Sequence, residues 1–87
     1  MADVNKLLTF TTHAHDAILE RKLEMDWIDR TARQPTWSRP DPRPNRERRF
    51  RAIPEFGGRI LRVVCLETDH EIHIITVFFD RRAREPK

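Results

Sequence analysis

Residues 59–67 read RILRVVCLE and residues 71–79 read EIHIITVFF, with only Thr68, Asp69 and His70 between them. Ile, Val and Phe crowd both stretches, and β-branched and aromatic side chains suit a pleated, half-buried surface. A few polar residues are the usual length of a hairpin connection. Two antiparallel strands are therefore predicted, over 59–67 and 71–79. Both alternate sets of the first strand are partly apolar: Ile60, Val64 and Leu66 on one side, Leu61, Val63 and Cys65 on the other. A strand with one wet face alternates more cleanly. The hairpin thus belongs mid-sheet, with cover on one face and a pocket or partner on the other.

Upstream, residues 47–53 read ERRFRAI and are predicted as the first long strand. Phe50 and Ala52 face one way, and Arg49, Arg51 and Ile53 the other. Pro54 ends this strand, and Gly57-Gly58 turns the chain into the central hairpin. Residues 35–46, PTWSRPDPRPNR, hold four of the six prolines. They read as an extended loop, either a plain surface connection or a lid anchored by Trp37. Before it, two short helices are predicted. The first spans about 13–22, capped by Thr11 or Thr12, with Asp16 in its first turn and Ala14, Ala17, Ile18 and Arg21 on one face. The second spans about 25–33, with Trp27, Ile28, Thr31 and Ala32 inward. It ends before Pro35, because a residue preceding proline resists the helical region. Met1–Leu8 is weakly patterned, and Leu7, Leu8 and Phe10 read as a short strand or a packed arm. After Phe79 the chain is a charged tail, DRRAREPK, expected to fray. The predicted class is α+β: a single domain over 1–87, with two N-terminal helices packed on one face of a small antiparallel sheet of three or four strands.

A chain of 87 residues builds one core and buries only about 60–65% of its unfolded surface. The single cysteine, Cys65, falls on a predicted core strand, which suits a reducing cytoplasm. No apolar run reaches the roughly 18 residues of a membrane span, and no signal peptide is evident. The net charge of +3 is unevenly spread. Residues 39–62 carry eight Arg against Asp41, Glu47 and Glu55, while the flanking stretches are each close to neutral. Arg outnumbers Lys by 14 to 3. Guanidinium forks bind phosphate bidentately, so a phosphodiester partner fits, although codon usage alone also enriches arginine.

Few side chains suit acid–base work. His13, His15, Asp16 and Glu20 cluster at the first helix, His70 lies in the turn, and His73 on the last strand. His13 and His15 stand about 200° apart on a helix, so they cannot share an ion, and no paired Cys or HExxH pattern exists. No metal and no cofactor is expected. The remaining chemistry is metal-free RNA cleavage, which needs proton transfer and cations around a phosphorane-like transition state. His13 is the proton-transfer candidate, Arg21, Arg62 and Arg81 the fixed charges, Thr76 a phosphate hydrogen-bond donor, and Trp37 a base-stacking ring. Arg62 on a central strand needs a partner such as Glu20, or a pocket. Each candidate also has a purely structural role open to it, as a cap, an ion pair or a strand former.

Thr11-Thr12-His13-Ala14 followed by Glu20-Arg21-Lys22-Leu23 resembles the T-x-H-A-x-x-R-M-x-E-R-x-I signature of a small bacterial domain family of unknown function. The C-terminal half, GGRILRVVCLE then IHIITVFFDRRAR, resembles the BrnT-like toxins, and both groups are allied in fold with RelE/ParE-like toxins. The resemblance runs from about Thr11 to Arg84. It implies a RelE-like arrangement and an endoribonuclease of the toxin–antitoxin class, held by an antitoxin protein. By position, the motif residues are His13, Glu20, Arg21, Arg62, Thr76 and Arg81. The signature's first Arg falls on Ala17 here, which puts activity in doubt. Two other readings stand beside it. One is a non-catalytic domain that binds nucleic acid or a protein through Arg49, Arg51, Arg59 and Arg62, extended by Arg81 and Arg82. The other is a fold that only associates with proteins, its own copies included.

Overall fold

A computed structural model describes residues 6–86; residues 1–5 of the weakly patterned start and Lys87 of the tail lie outside the described residues. The predicted hairpin is present as β4 (Arg59–Glu67) and β5 (Glu71–Phe79), closed by Thr68, whose hydroxyl accepts from the N–H groups of His70 and Glu71. β3 (Glu47–Ile53) pairs antiparallel with β4. A 3₁₀ turn over Pro54–Phe56 leads to Gly57 and Gly58, both at positive φ (68° and 73°), where a side chain would be strained. Helices α1 (Thr12–Arg21) and α2 (Met25–Arg33) both cover one face of the sheet.

The sheet has five strands and is mixed, which corrects the expected three or four antiparallel strands. Its order is β1-β5-β4-β3-β2. β1 (Leu7–Phe10) runs parallel to β5 at one edge. Four residues are too short to show a period, and their partner lies 64 positions away. β2 (Trp37–Pro40) pairs antiparallel with β3 at the other edge, inside the stretch read as loop. Pro40 is tolerated there because an edge strand offers one side to solvent. The lid is therefore not free: Trp37 stands beside Phe50, and residues 41–46 form the turn between two paired strands.

The core lies between helices and sheet. Ala14, Ile18, Leu23, Ile28 and Ala32 pack on Ile53, Leu61, Val63, Cys65, Ile72, Ile74 and Val77. Two details differ from expectation. Helix α1 starts at Thr12 with Thr11 as its cap, so Asp16 falls beyond the first turn, which holds no acidic residue. The tail after β5 turns back on itself, with Asp80 accepting from the N–H groups of Arg82 and Ala83.

One irregularity positions everything that follows. Val64 pairs with Thr76, and Cys65 with Ile74, so Ile75 is an extra residue in β5. Such a bulge bends a strand and re-aims its side chains. β1 stops at Phe10, opposite Ile74, and Thr11 takes over there. Its N–H donates to the Ile74 carbonyl at 3.0 Å, and its hydroxyl donates to the Ile75 carbonyl at 2.8 Å while accepting from the Ala14 N–H at 3.0 Å. One threonine thus caps α1 and ties its first turn to the bulge.

Candidate functional site

The face of the sheet away from the helices is open, and it carries a cavity of about 520 Å³. Thr11 and His13 from the start of α1 form one wall. Val64, Ile75 and Thr76 form part of the floor with Arg62. Asp41, Pro42, Arg43, Arg46 and Arg48 form the opposite wall. Three of the four catalytic candidates therefore meet: His13, Arg62 and Thr76. The bulge turns Ile75 and Thr76 to the same cavity, and the Thr11 link brings His13 beside them.

Arg62 is the most constrained of these. Its guanidinium lies over the Phe78 ring, 4.8 Å from the centroid, and one terminal nitrogen donates to Asp80 Oδ2 at 3.2 Å. Its partner is thus Asp80 rather than Glu20, and it lines the cavity as well. Its Nε is buried with no hydrogen-bond partner, a cost that a structural ion pair would normally avoid. Asp41 is the only carboxylate among the cavity's described lining residues, against four guanidinium groups. The Arg43 N–H at 3.0 Å and Arg48 Nε at 2.8 Å lower its pKa from the ordinary carboxylate value, so it stays an anion that orients Arg48. The unbonded first-turn N–H groups of α1 add a positive dipole end at the same wall.

The other candidates lie elsewhere. Arg21 borders a neighbouring hollow of about 110 Å³ with Asp16, Glu20 and Ala17; His13 and Thr76 are common to both. Arg49 turns to the helix face, where it donates to the Ala32 carbonyl, Glu47 and Glu67, each at 2.6 Å. Arg51 donates to the Gln34 carbonyl. Arg59 lies over the Phe56 ring and borders a separate hollow with Arg81 and Arg84. Arg82 borders a third cavity beside Arg62. His73 accepts or donates a 2.8 Å bond with Thr9, and His15 and His70 are exposed, away from the cavity.

Sequence reasoning did not pick out Asp41, Arg43, Arg46 and Arg48 as a site. Their signal was the excess charge of residues 39–62; strand parity set Arg49 and Arg51 apart, but the β2–β3 pairing is needed to bring Arg43 and Arg46 beside Arg48. Among the described residues no group of three or more His, Cys, Asp and Glu gathers where it could hold a metal ion. No helix among them is long and apolar enough to cross a membrane.

A two-layer α+β domain with a cationic cavity on its uncovered sheet face is the class the geometry defines. The chain matches the family described as "Domain of unknown function (DUF4258)" over residues 10–79, and it belongs to that family. No curated protein and no solved structure matches it.

Proposed function

We propose that the open cavity binds a phosphodiester of RNA and cleaves it with the RNA's own 2′-hydroxyl, without a metal ion. The observation that carries this reading is the meeting of His13, Arg62 and Thr76 in one cavity with Arg43, Arg46 and Arg48. The donor set favours metal-free chemistry, since the cavity's carboxylate already serves Arg48 and the Arg43 N–H. Neutral His13 takes the 2′-hydroxyl proton as the O2′–P bond forms. Arg62 and Arg48 stabilise the added negative charge on phosphorus, and Thr76 donates to a non-bridging oxygen. As the P–O5′ bond breaks, the His13 imidazolium returns the proton to O5′, leaving a 2′,3′-cyclic phosphate. His13 serves both transfers because, among the described lining residues, it is the one imidazole.

The test is RNA cleavage in EDTA by wild type, His13→Ala and Arg62→Ala, with cyclic-phosphate ends as the product. Both variants should lose at least ten-fold in rate, general acid–base groups contributing roughly 10²–10⁴-fold. Equal activity in all three would discard the assignment. The single imidazole also favours a second reading, a domain that binds RNA without cutting it. That reading predicts salt-sensitive binding with no product.

A further inference from the structure

The open face carries two cross-strand rows. The first runs Trp37, Phe50, Arg62, Phe78 across β2, β3, β4 and β5. The second runs Arg39, Arg48, Val64, Thr76 across the same strands. Two residues along a strand separate the rows, about 7 Å. The first row is made of flat groups. Trp37 and Phe50 are stacked at 4.9 Å with 7° between their planes, and Arg62 lies on Phe78. The second row is cationic at the β2–β3 end and reaches Thr76 at the other.

Over this corner sits a cavity of about 310 Å³, bordered by Trp37, Phe50, Arg39, Arg48, Arg62, the Asp80 that Arg62 holds, and the turn at 82–84. Arg48 and Arg62 are shared with the larger cavity, so the two are contiguous. Trp37 on an edge strand is only half-buried, with one face on Phe50. Arg39 makes no ion pair among the described residues. An apolar aromatic floor with a mostly cationic rim, joined to the larger cationic cavity, fits one chemistry closely. A nucleobase offers a π-face and acceptor edges, and its phosphate an anion.

We infer that the smaller cavity is a nucleobase subsite, and that the open face accepts single-stranded nucleic acid and rejects duplex. This rests on the reading of the larger cavity as a phosphodiester site. A paired base keeps its faces inside the helical stack, so only an unpaired base can lie against Trp37. Arg48 and Arg62 then bridge the base to its own phosphate. An acidic peptide satisfies the same cations but has no use for the aromatic floor.

The experiment uses a labelled 2′-deoxy 12-mer in EDTA at low salt. Lacking the 2′-hydroxyl, it cannot be cut by the proposed route, so binding is read apart from cleavage. Three further probes share its length: the duplex, an abasic strand and poly-glutamate. Wild type should bind the single strand tightest. Trp37→Ala should weaken it about 5-fold to 100-fold, down to the abasic value, while abasic and duplex binding stay put. Trp37→Phe should keep most of the affinity, separating stacking from a folding defect. In Trp27→Phe, where Trp37 is the sole tryptophan, its emission should be quenched by the 12-mer and not by the abasic strand.

Equal affinity for the single strand and the abasic strand, or an unresponsive Trp37 emission in a bound complex, overturns the subsite. So does poly-glutamate that competes as well as the 12-mer. RNA cleavage whose KM ignores Trp37→Ala overturns this inference alone. Absence of binding to every strand overturns it together with the phosphodiester reading.

Discussion

Replacing Arg49 by methionine keeps most of the aliphatic stem and removes the fork. That fork joins three elements: Glu47 of β3, Glu67 at the end of β4, and the Ala32 carbonyl in the last turn of α2. The side chain is only 12% exposed. Burial works against its charge, and Glu47 and Glu67 more than compensate, so its pKa is raised. The three contacts are not equal. Glu47 is 45% and Glu67 32% exposed, and Glu67 also keeps Lys6 at 2.6 Å. Each of those pairs counts as a surface bridge, about 0.2–1 kcal/mol. The Ala32 carbonyl is a helix-end acceptor with no intrahelical donor, and a charge-assisted bond there is worth about 1.5–3 kcal/mol. Arg49→Met should therefore cost about 2–5 kcal/mol, a fall in Tm of roughly 10–40 °C for a domain this size. Urea unfolding followed by tryptophan fluorescence and far-UV circular dichroism measures it, with an unchanged m-value. A cost under about 0.5 kcal/mol together with lost RNA binding would contradict this role for Arg49. The fork would then be free for ligands rather than holding α2 to the sheet.

Three further outcomes follow from the same contacts. Arg30 grips Glu55 through both oxygens at 2.7 and 3.0 Å and pulls its pKa from 4.5 down to about 2. A depressed folded-state pKa gives stability that is complete above the unfolded value and disappears as pH falls through the folded one. The gap in urea midpoint between wild type and Glu55→Gln should be flat above about pH 5 and close toward pH 2; a gap independent of pH contradicts it. Thr11→Val removes both the cap and the tie to Ile75, at about 1–3 kcal/mol. Thr11→Ser should restore it, and failure of that rescue would show that the hydroxyl is not the cause. Burial pushes the Cys65 thiol up to about 11, so a disulfide reagent at pH 8 should label it only as fast as the protein opens. Rapid labelling of the folded protein would place the thiol at the surface.

The helices and the three long strands were legible because each announces itself locally. α2 ends at Arg33, with Gln34 as its cap before Pro35, and β4 and β5 are dense in β-branched residues. The edge strands were legible only in part. LLTF was read as a short strand or an arm, and its parallel pairing depends on a distant partner; WSRP hides a paired strand inside a proline-rich run. The site divides along the same line. His13, Arg62 and Thr76 stood out by residue type and position. The arginines were harder: Arg48 and Arg49 are chemically identical neighbours, yet one opens on the cavity and the other locks the helix layer. Strand parity already placed Arg49 and Arg51 with Ile53, and that was the available clue. Arg43 and Arg46 enter the site through the turn between β2 and β3, which no local pattern signals.

The supernumerary Ile75 also marks where β5 tolerates a change of length. Excising that one position would leave a strand that alternates without a break, with Thr76 and Phe78 still on the open face and Val77 and Phe79 still toward the helices, as their partners on β4 require. Only the local bend would go, and with it the carbonyl that receives the Thr11 hydroxyl and an apolar side chain of the cavity. Losing Val77 instead would turn both remaining residues of the strand over, sending Phe78 inward and Phe79 into water. Insertions in the 41–46 turn carry no such penalty, since they alter the cavity's outer wall and leave every inward-facing position where it was.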